Sequence, residues 1–194
     1  MRIACDIDGV ILDFVGGFLR IVNEHYKTKI SHQEITEHGL DLILGIGKDK
    51  TRFFVDEAIT KADLDQIPGA FLGIAELVNV GNEVIFLTNR DRKHKEATEK
   101  NLDAHGYFRE WLNEPLLRQR SGRVAYADLL CKRDICIEEK IDVAIDDSTK
   151  EALALVGTVG KVILLSQPWN RGCLNLEGKF IRCDNWKEIV NAIK

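Results

Sequence analysis

Two carboxylates placed two residues apart are the side chains of this sequence best suited to chemistry. Asp6 and Asp8 lie in the segment Asp6-Ile7-Asp8-Gly9-Val10, directly after the apolar run Ile3-Ala4-Cys5. In a strand, such residues point to the same side roughly 6.6 Å apart, which leaves room for a phosphoryl group between them. Gly9 lets the backbone turn away where a side chain would obstruct that group. We expect that Asp6 and Asp8 form a catalytic pair. The alternative is that they belong to an acidic turn or cap a helix.

Short apolar runs that alternate with helical periodicity predict the elements that position this pair. Further strands are predicted at 84–87, 143–145 and 162–165, with a weaker candidate at 124–127, and the segment 180–183 precedes the last helix. Helices are predicted at 13–24, 50–61, 70–80, 93–105, 132–140, 150–156 and 186–193, with a loop containing Trp111 and Pro115 after the fourth of them. Strands that alternate with helices form a parallel sheet with right-handed crossovers, so we expect an α/β fold.

Polar groups follow three of the predicted strands, where parallel sheets bind ligands. These groups are Asp6 with Asp8, Thr88 with Asn89, and Asp146 with Asp147. Clustered carboxylates repel one another unless a cation lies between them, and oxygen ligands suit Mg²⁺. We therefore expect a magnesium site made by Asp6, Asp8 and Asp147, and more weakly by Asp146, for which a helix cap is the alternative.

Thr88 and Lys132 are the candidates for binding a phosphate group. The Thr88 hydroxyl could bond a phosphate oxygen, assisted by backbone N–H groups at the start of the next helix, and an N-cap role is compatible with this. Lys132 could supply a positive charge, although a lysine taken alone is usually a solvated surface group.

Composition narrows the class of protein. The chain has 194 residues with a net charge of −4, which fits one domain or a core with an insertion and argues against binding a nucleic acid polymer. Five cysteines in no metal-binding pattern, Cys173 among them, are expected to be reduced thiols. With no signal peptide and no apolar run long enough to span a membrane, we expect a cytoplasmic protein acting on a small phosphorylated metabolite, and a homodimer stays open.

Taken in order, Asp6-x-Asp8-x-Val10, Thr88, Lys132 and Asp146-Asp147 resemble the four motifs of the haloacid dehalogenase superfamily of phosphohydrolases. The resemblance implies a Rossmann-like three-layer α/β/α fold, with Asp6 as nucleophile and Asp8 as general acid and base. It also implies a Mg²⁺ ion held by the Asp6 side chain, the Asp8 carbonyl and Asp147, with Asp146 in support. Thr88, Asn89 and Lys132 would bind the phosphate group. The core would comprise 1–12 and 67–194, and residues 13–66 would form the small helical cap.

Within the superfamily, Leu87-Thr88-Asn89-Arg90 and Gln167-Pro168-Trp169-Asn170 are similar to the 5′(3′)-deoxyribonucleotidase branch and its bacterial relatives. This implies a phosphatase acting on a nucleoside monophosphate, with phosphotransfer to a sugar or nucleoside, or a regulatory phosphometabolite-binding module, as alternatives. Phe14 and Arg90 are candidate substrate contacts. The helical spacing of the aromatic residues nevertheless favours core packing over stacking on a base for Phe14, Phe18, Phe53 and Phe54.

Overall fold

The computed structural model describes residues 1–37, 39–108, 122–127, 130–172 and 178–194. Cys173 and the predicted loop with Trp111 and Pro115 lie outside the described residues. Within them, the strands are β1 (Arg2–Asp6), β2 (Glu83–Thr88), β3 (Arg123–Tyr126), β4 (Val143–Asp146), β5 (Lys161–Leu165) and β6 (Ile181–Cys183). The helices are α1 (Phe14–Tyr26), α2 (Leu40–Leu44), α3 (Lys48–Lys61), α4 (Ala70–Asn79), α5 (Lys95–Ala104), α6 (Lys132–Glu138), α7 (Thr149–Leu155) and α8 (Trp186–Ile193).

The six described strands form one parallel sheet in the order β3-β2-β1-β4-β5-β6. Alternate residues of β1 face opposite sides: Ile3 and Cys5 join a core with α4 and α8, and Ala4 joins a core with α6 and α7. This arrangement confirms the predicted Rossmann-like three-layer α/β/α fold. Since β1 lies between β2 and β4, the three strand ends that carry the predicted site residues are neighbours.

The helices between β1 and α4 pack around a third apolar cluster. Phe18 of α1, Phe54 of α3 and Ile35 are buried in it, and Trp169 joins it from beyond β5. At Gly17 a Cβ would lie 2.2 Å from Leu64 Cδ2, so the glycine allows Leu64 to pack closely against α1. The five-residue helix α2 is too short to show a clear periodicity, and the sequence did not predict it.

The two ends of the predicted insertion lie side by side. Leu12 and Gln66 form an isolated antiparallel bridge, and the Ile67 N–H donates to the Ile11 carbonyl. The division of the chain at these residues stays a prediction. No helix in the described ranges is both long enough and apolar enough to cross a membrane.

Candidate active site

Lys132 joins two carboxylates from adjacent strands. Its Nζ lies 2.8 Å from Asp6 Oδ1 at the end of β1 and 2.8 Å from Asp146 Oδ2 at the end of β4. All three side chains are buried. Burial lowers the pKa of the Lys132 ammonium, but Asp146 and Asp6 raise it more strongly, so the net shift is upward. The lysine is therefore a fixed positive charge at the centre of the sheet edge.

Asp147 is held against the Asp6-to-Val10 loop by a tryptophan. Trp169 Nε1 donates to Asp147 Oδ2 at 2.8 Å, and Asn170 Nδ2 donates to the Asp147 carbonyl at 2.8 Å. Gly9 adopts φ +75°, and a Cβ there would lie 2.3 Å from Asp147 Oδ2. The glycine thus permits both the left-handed turn and the contact with this carboxylate.

Distant residues also hold the loop backbone. The Gly9 carbonyl accepts a hydrogen bond from Gln167 Nε2 at 2.7 Å. The Val10 carbonyl accepts one from the indole Nε1 of Trp186, the first residue of α8, at 2.9 Å. Because both bonds are buried, the loop that carries the Asp pair is fixed from the carboxyl-terminal part of the chain.

Three buried carboxylates fit a hard divalent cation. Asp6, Asp146 and Asp147 each offer an oxygen within 4.8 Å of the others. Burial raises the pKa of Asp6 to about 7, and burial with the Asp6 charge raises that of Asp147. Lys132 is the single cation among the described residues that contacts this cluster, so negative charge remains uncompensated. A divalent cation with oxygen ligands would relieve it.

Asp8 has a partner of its own. Arg90 Nε donates to Asp8 Oδ2 at 2.9 Å and Nη2 donates to Oδ1 at 2.5 Å, a bidentate pair. Arg90 Nη1 donates to Thr98 Oγ1 on α5, and the Arg90 backbone N–H donates to Thr88 Oγ1. The two aspartates of the pair are therefore bound to different cations.

A cavity of about 260 Å³ opens between these groups and the helices α1 and α2. Predicted site residues on its wall are Asp6, Asp8, Phe14, Asn89, Lys132 and Asp147. The buried Thr88 and Arg90 are not among its described lining residues. The rest of the described wall is partly apolar and partly polar, formed by Val15, Ile35, Leu40 and Trp169 together with Gly9, Glu37, Ser148 and Glu151.

The four aromatic residues differ in their surroundings. Phe18 and Phe54 are buried, which agrees with the packing expectation. Phe14 is half-buried and lines the cavity. For Phe53 the packing expectation is wrong, since 56% of this residue is exposed, and Phe54 occupies the inward position of α3 instead.

The sequence indicated no role for Trp169 or for the pairing of Arg90. Trp169 follows β5, at the same end of the sheet as the aspartates, and its ring is tilted by 53° against that of His32 with ring centroids 5.3 Å apart. His32 in turn lies 3.4 Å from Asp13, the residue that caps α1. A tryptophan shortly after a buried strand does carry a signal. Its indole N–H needs an acceptor when it is buried, and the carboxylates at the neighbouring strand ends are the candidates for that acceptor.

Solved structures of other proteins share this fold. A predicted phosphoglycolate phosphatase from Haemophilus somnus has a TM-score of 0.64 at 14% identity, over 100% of this chain and 97% of that chain. A HAD family hydrolase from Deinococcus radiodurans with bound phosphate and sodium has a TM-score of 0.65 at 14% identity, over 99% and 94%. The fold is that of the haloacid dehalogenase hydrolases.

Sequence similarity assigns the chain to one family among the proteins that share this fold. Residues 1–194 match the family described as “5' nucleotidase, deoxy (Pyrimidine), cytosolic type C protein”, so the chain belongs to this family. It is also 26% identical over 199 residues to “Putative nucleotidase BH1399” of Halalkalibacterium halodurans, covering 96% of this chain and 89% of that protein. The protein is accordingly an enzyme of the HAD phosphatase and nucleotidase class.

Proposed function

We propose that this enzyme is a Mg²⁺-dependent phosphatase that hydrolyses a nucleoside monophosphate, preferably a deoxyribonucleotide, through an aspartyl-phosphate on Asp6. The observation that carries the proposal is the different bonding of the Asp pair. Asp6 is held by Lys132 beside Asp146 and Asp147, and Asp8 is held by Arg90. Both line one cavity, so one aspartate can attack phosphorus while the other transfers protons.

The first half-reaction transfers the phosphoryl group to the protein. A carboxylate oxygen of Asp6 forms a bond to phosphorus, and the bond from phosphorus to the ester oxygen breaks. Asp8 in its acid form gives a proton to that departing oxygen, which leaves as the nucleoside hydroxyl. Lys132 keeps the Asp6 carboxylate in place and, with Asn89 and the Thr88 hydroxyl, would offset the charge of the transferring group.

The second half-reaction releases phosphate. Asp8, now a carboxylate, takes a proton from water as the water oxygen bonds phosphorus. The bond from phosphorus to Asp6 breaks and its electron pair returns to the Asp6 carboxylate, so inorganic phosphate leaves and the enzyme is restored. The two steps use the same two side chains in reversed proton-transfer roles.

Asp6, Asp147 and the Asp8 carbonyl would hold the magnesium ion. Asp146 would act in support, because its oxygens already accept from Lys132 Nζ and the Ser148 N–H, each at 2.8 Å. The ion supplies Lewis-acid stabilisation of the phosphoryl oxygens. The all-oxygen donor set and the uncompensated charge of the cluster support this choice of cation.

The cavity wall supports a nucleoside as the leaving group. Phe14, Ile35 and Trp169 give the cavity wall apolar surface. A nucleobase has flat apolar faces that such a wall can bind, which a small hydrophilic sugar lacks. The family description and the name of the H. halodurans relative point to the same substrate class.

The test is phosphate release from a panel of substrates with Mg²⁺. Deoxyribonucleoside 5′-monophosphates should be hydrolysed faster than hexose phosphates, and EDTA should abolish turnover. Asp6→Asn should be inactive, whereas Asp103→Asn, at an exposed position on α5, should match the wild type. Full activity of Asp6→Asn would refute the covalent mechanism, and tight binding of the panel without turnover would indicate a regulatory binding module instead.

A further inference from the structure

We infer that Arg90 is a positioning residue that fixes the orientation of the Asp8 carboxyl group for its proton transfer from water in the second half-reaction. The inference rests on the proposed function, because it assigns a helper to the proton-transfer residue. It also replaces the expectation that Arg90 contacts the substrate. Three features of the described structure carry it: the geometry of the pair, the anchoring of the arginine, and the place of Asp8 on the cavity wall.

The geometry of the pair fixes the plane of the Asp8 carboxyl group. Two donors of the guanidinium, Nε and Nη2, meet the two oxygens of Asp8 at 2.9 and 2.5 Å. A bidentate contact of this kind sets both the position and the direction of the carboxyl group. Arg90 therefore orients the group that takes a proton from water.

The arginine itself is rigidly placed. Only 2% of its side chain is exposed, and its third guanidinium nitrogen donates to Thr98 Oγ1 at 3.1 Å. Thr98 is fully buried on α5, and the Arg90 N–H is fixed by Thr88 at 3.1 Å. A lysine could neutralise Asp8 but could not bond both oxygens from one fixed plane.

Asp8 needs such a partner because it lies past the end of β1. The strand ends at Asp6, and the left-handed Gly9 follows Asp8 directly. Asp8 lines both the cavity with Lys132 and a neighbouring one of about 330 Å³ that contains Arg90. Among the described lining residues, Lys132 belongs to the first cavity and Arg90 to the second, so the two cations meet the Asp pair in different cavities.

4-Nitrophenyl phosphate isolates the second half-reaction. Its nitrophenolate is a stabilised anion that leaves without a proton, so forming the aspartyl-phosphate does not require the acid form of Asp8. Stopped-flow release of phenolate measures the first step, and acid-quenched phosphoenzyme measures the covalent intermediate. In Arg90→Gln we expect a burst near one phenolate per enzyme and a steady-state rate reduced about 10- to 100-fold, since small misplacement of a catalytic group costs this much.

Matched variants separate the inference from other roles of Arg90. Asp8→Asn should show the same burst with a steady-state loss of about 10²- to 10⁴-fold, the usual contribution of a general base. Arg90→Gln should slow Asp8→Asn no further. Arg90→Lys, which keeps the buried charge, should fold and lie between wild type and Arg90→Gln, so it tests the inference even if Arg90→Gln is unstable.

Three outcomes would overturn the inference. One is an equal loss of burst rate and steady-state rate, which indicates a purely structural role. Another is a further loss when Arg90→Gln is added to Asp8→Asn, and the third is a raised KM with unchanged kcat, which indicates substrate contact. If Asp8→Asn accumulates no phosphoenzyme while Asp6→Asn stays active, the proposed function itself fails.

Discussion

Replacing Gly9 with alanine should damage the site through one contact. The residue has φ +75°, a region that costs an L-residue roughly 1–2 kcal/mol. The new Cβ would lie 2.3 Å from Asp147 Oδ2 and 3.1 Å from the Trp169 ring. To reach ordinary contact, the carboxylate would have to move by about 1 Å, and a misplacement of that size costs about 100-fold in rate.

Gly157→Ala is the matched control for this substitution. Gly157 has φ +78°, and nothing lies within 4 Å of the Cβ position. Both variants should lose roughly 1–2 kcal/mol of stability, which lowers the melting temperature by about 2–8 °C in a chain of this size. Only Gly9→Ala should also weaken activity, because only its Cβ meets a proposed metal ligand.

The assay is phosphate release across a Mg²⁺ titration, with melting curves of both variants beside the wild type. Gly9→Ala should show about 100-fold lower activity and need more Mg²⁺ for half-maximal rate. Equal activity of Gly9→Ala and Gly157→Ala would refute the argument, since the two share the backbone strain and differ in the contacts that the new Cβ makes with Asp147 and Trp169.

Trp169→Phe keeps a ring but removes the donor to Asp147 Oδ2, so the Mg²⁺ needed for half-maximal activity should rise about 10- to 100-fold; an unchanged titration would contradict the role of the indole. Lys132→Met leaves Asp6 and Asp146 without their shared cation, so urea unfolding in EDTA should show a loss of about 3–5 kcal/mol, and no loss would count against the buried bridge. Burial raises the pKa of Asp6 to about 7, so the folded state binds more protons than the unfolded chain between pH 4 and 7. In EDTA the Asp6 carboxylate should therefore make the free energy of unfolding fall as pH rises through that window. If Asp6→Asn shows the same dependence on pH as the wild type, Asp6 is not the cause.

The scaffold could be predicted because its signals are local. Each central strand is a short apolar run, and α8 begins and ends where its periodicity does, at Trp186 and Ile193. The order of the strands and their common direction follow from the alternation with helices. The short helix α2 was missed because five residues give too few turns to establish a period.

The site could be predicted only as far as residue type reveals a role. Carboxylates at strand ends indicate metal ligands or a nucleophile. In the structure they meet at the carboxyl ends of neighbouring strands. Which cation serves which aspartate is a different question, because it depends on side-chain directions across strands. Lys132 and Arg90 are both basic, yet one bonds Asp6 and the other Asp8. Likewise Phe53 and Phe54 are adjacent, and only the rotation of α3 decides which is buried.

The two buried bonds that hold the Asp loop have a consequence for the order of folding. Gly9 and Val10 are bonded by Gln167 and Trp186, partners 158 and 176 residues later in the chain. Closing such long segments is entropically costly, so these bonds belong to the late, nonlocal contacts of assembly. A chain lacking α8 would retain every proposed site residue but would lack the Trp186 bond that holds the Val10 carbonyl of the loop. Recovery of activity after dilution from denaturant would then report docking of the last helix.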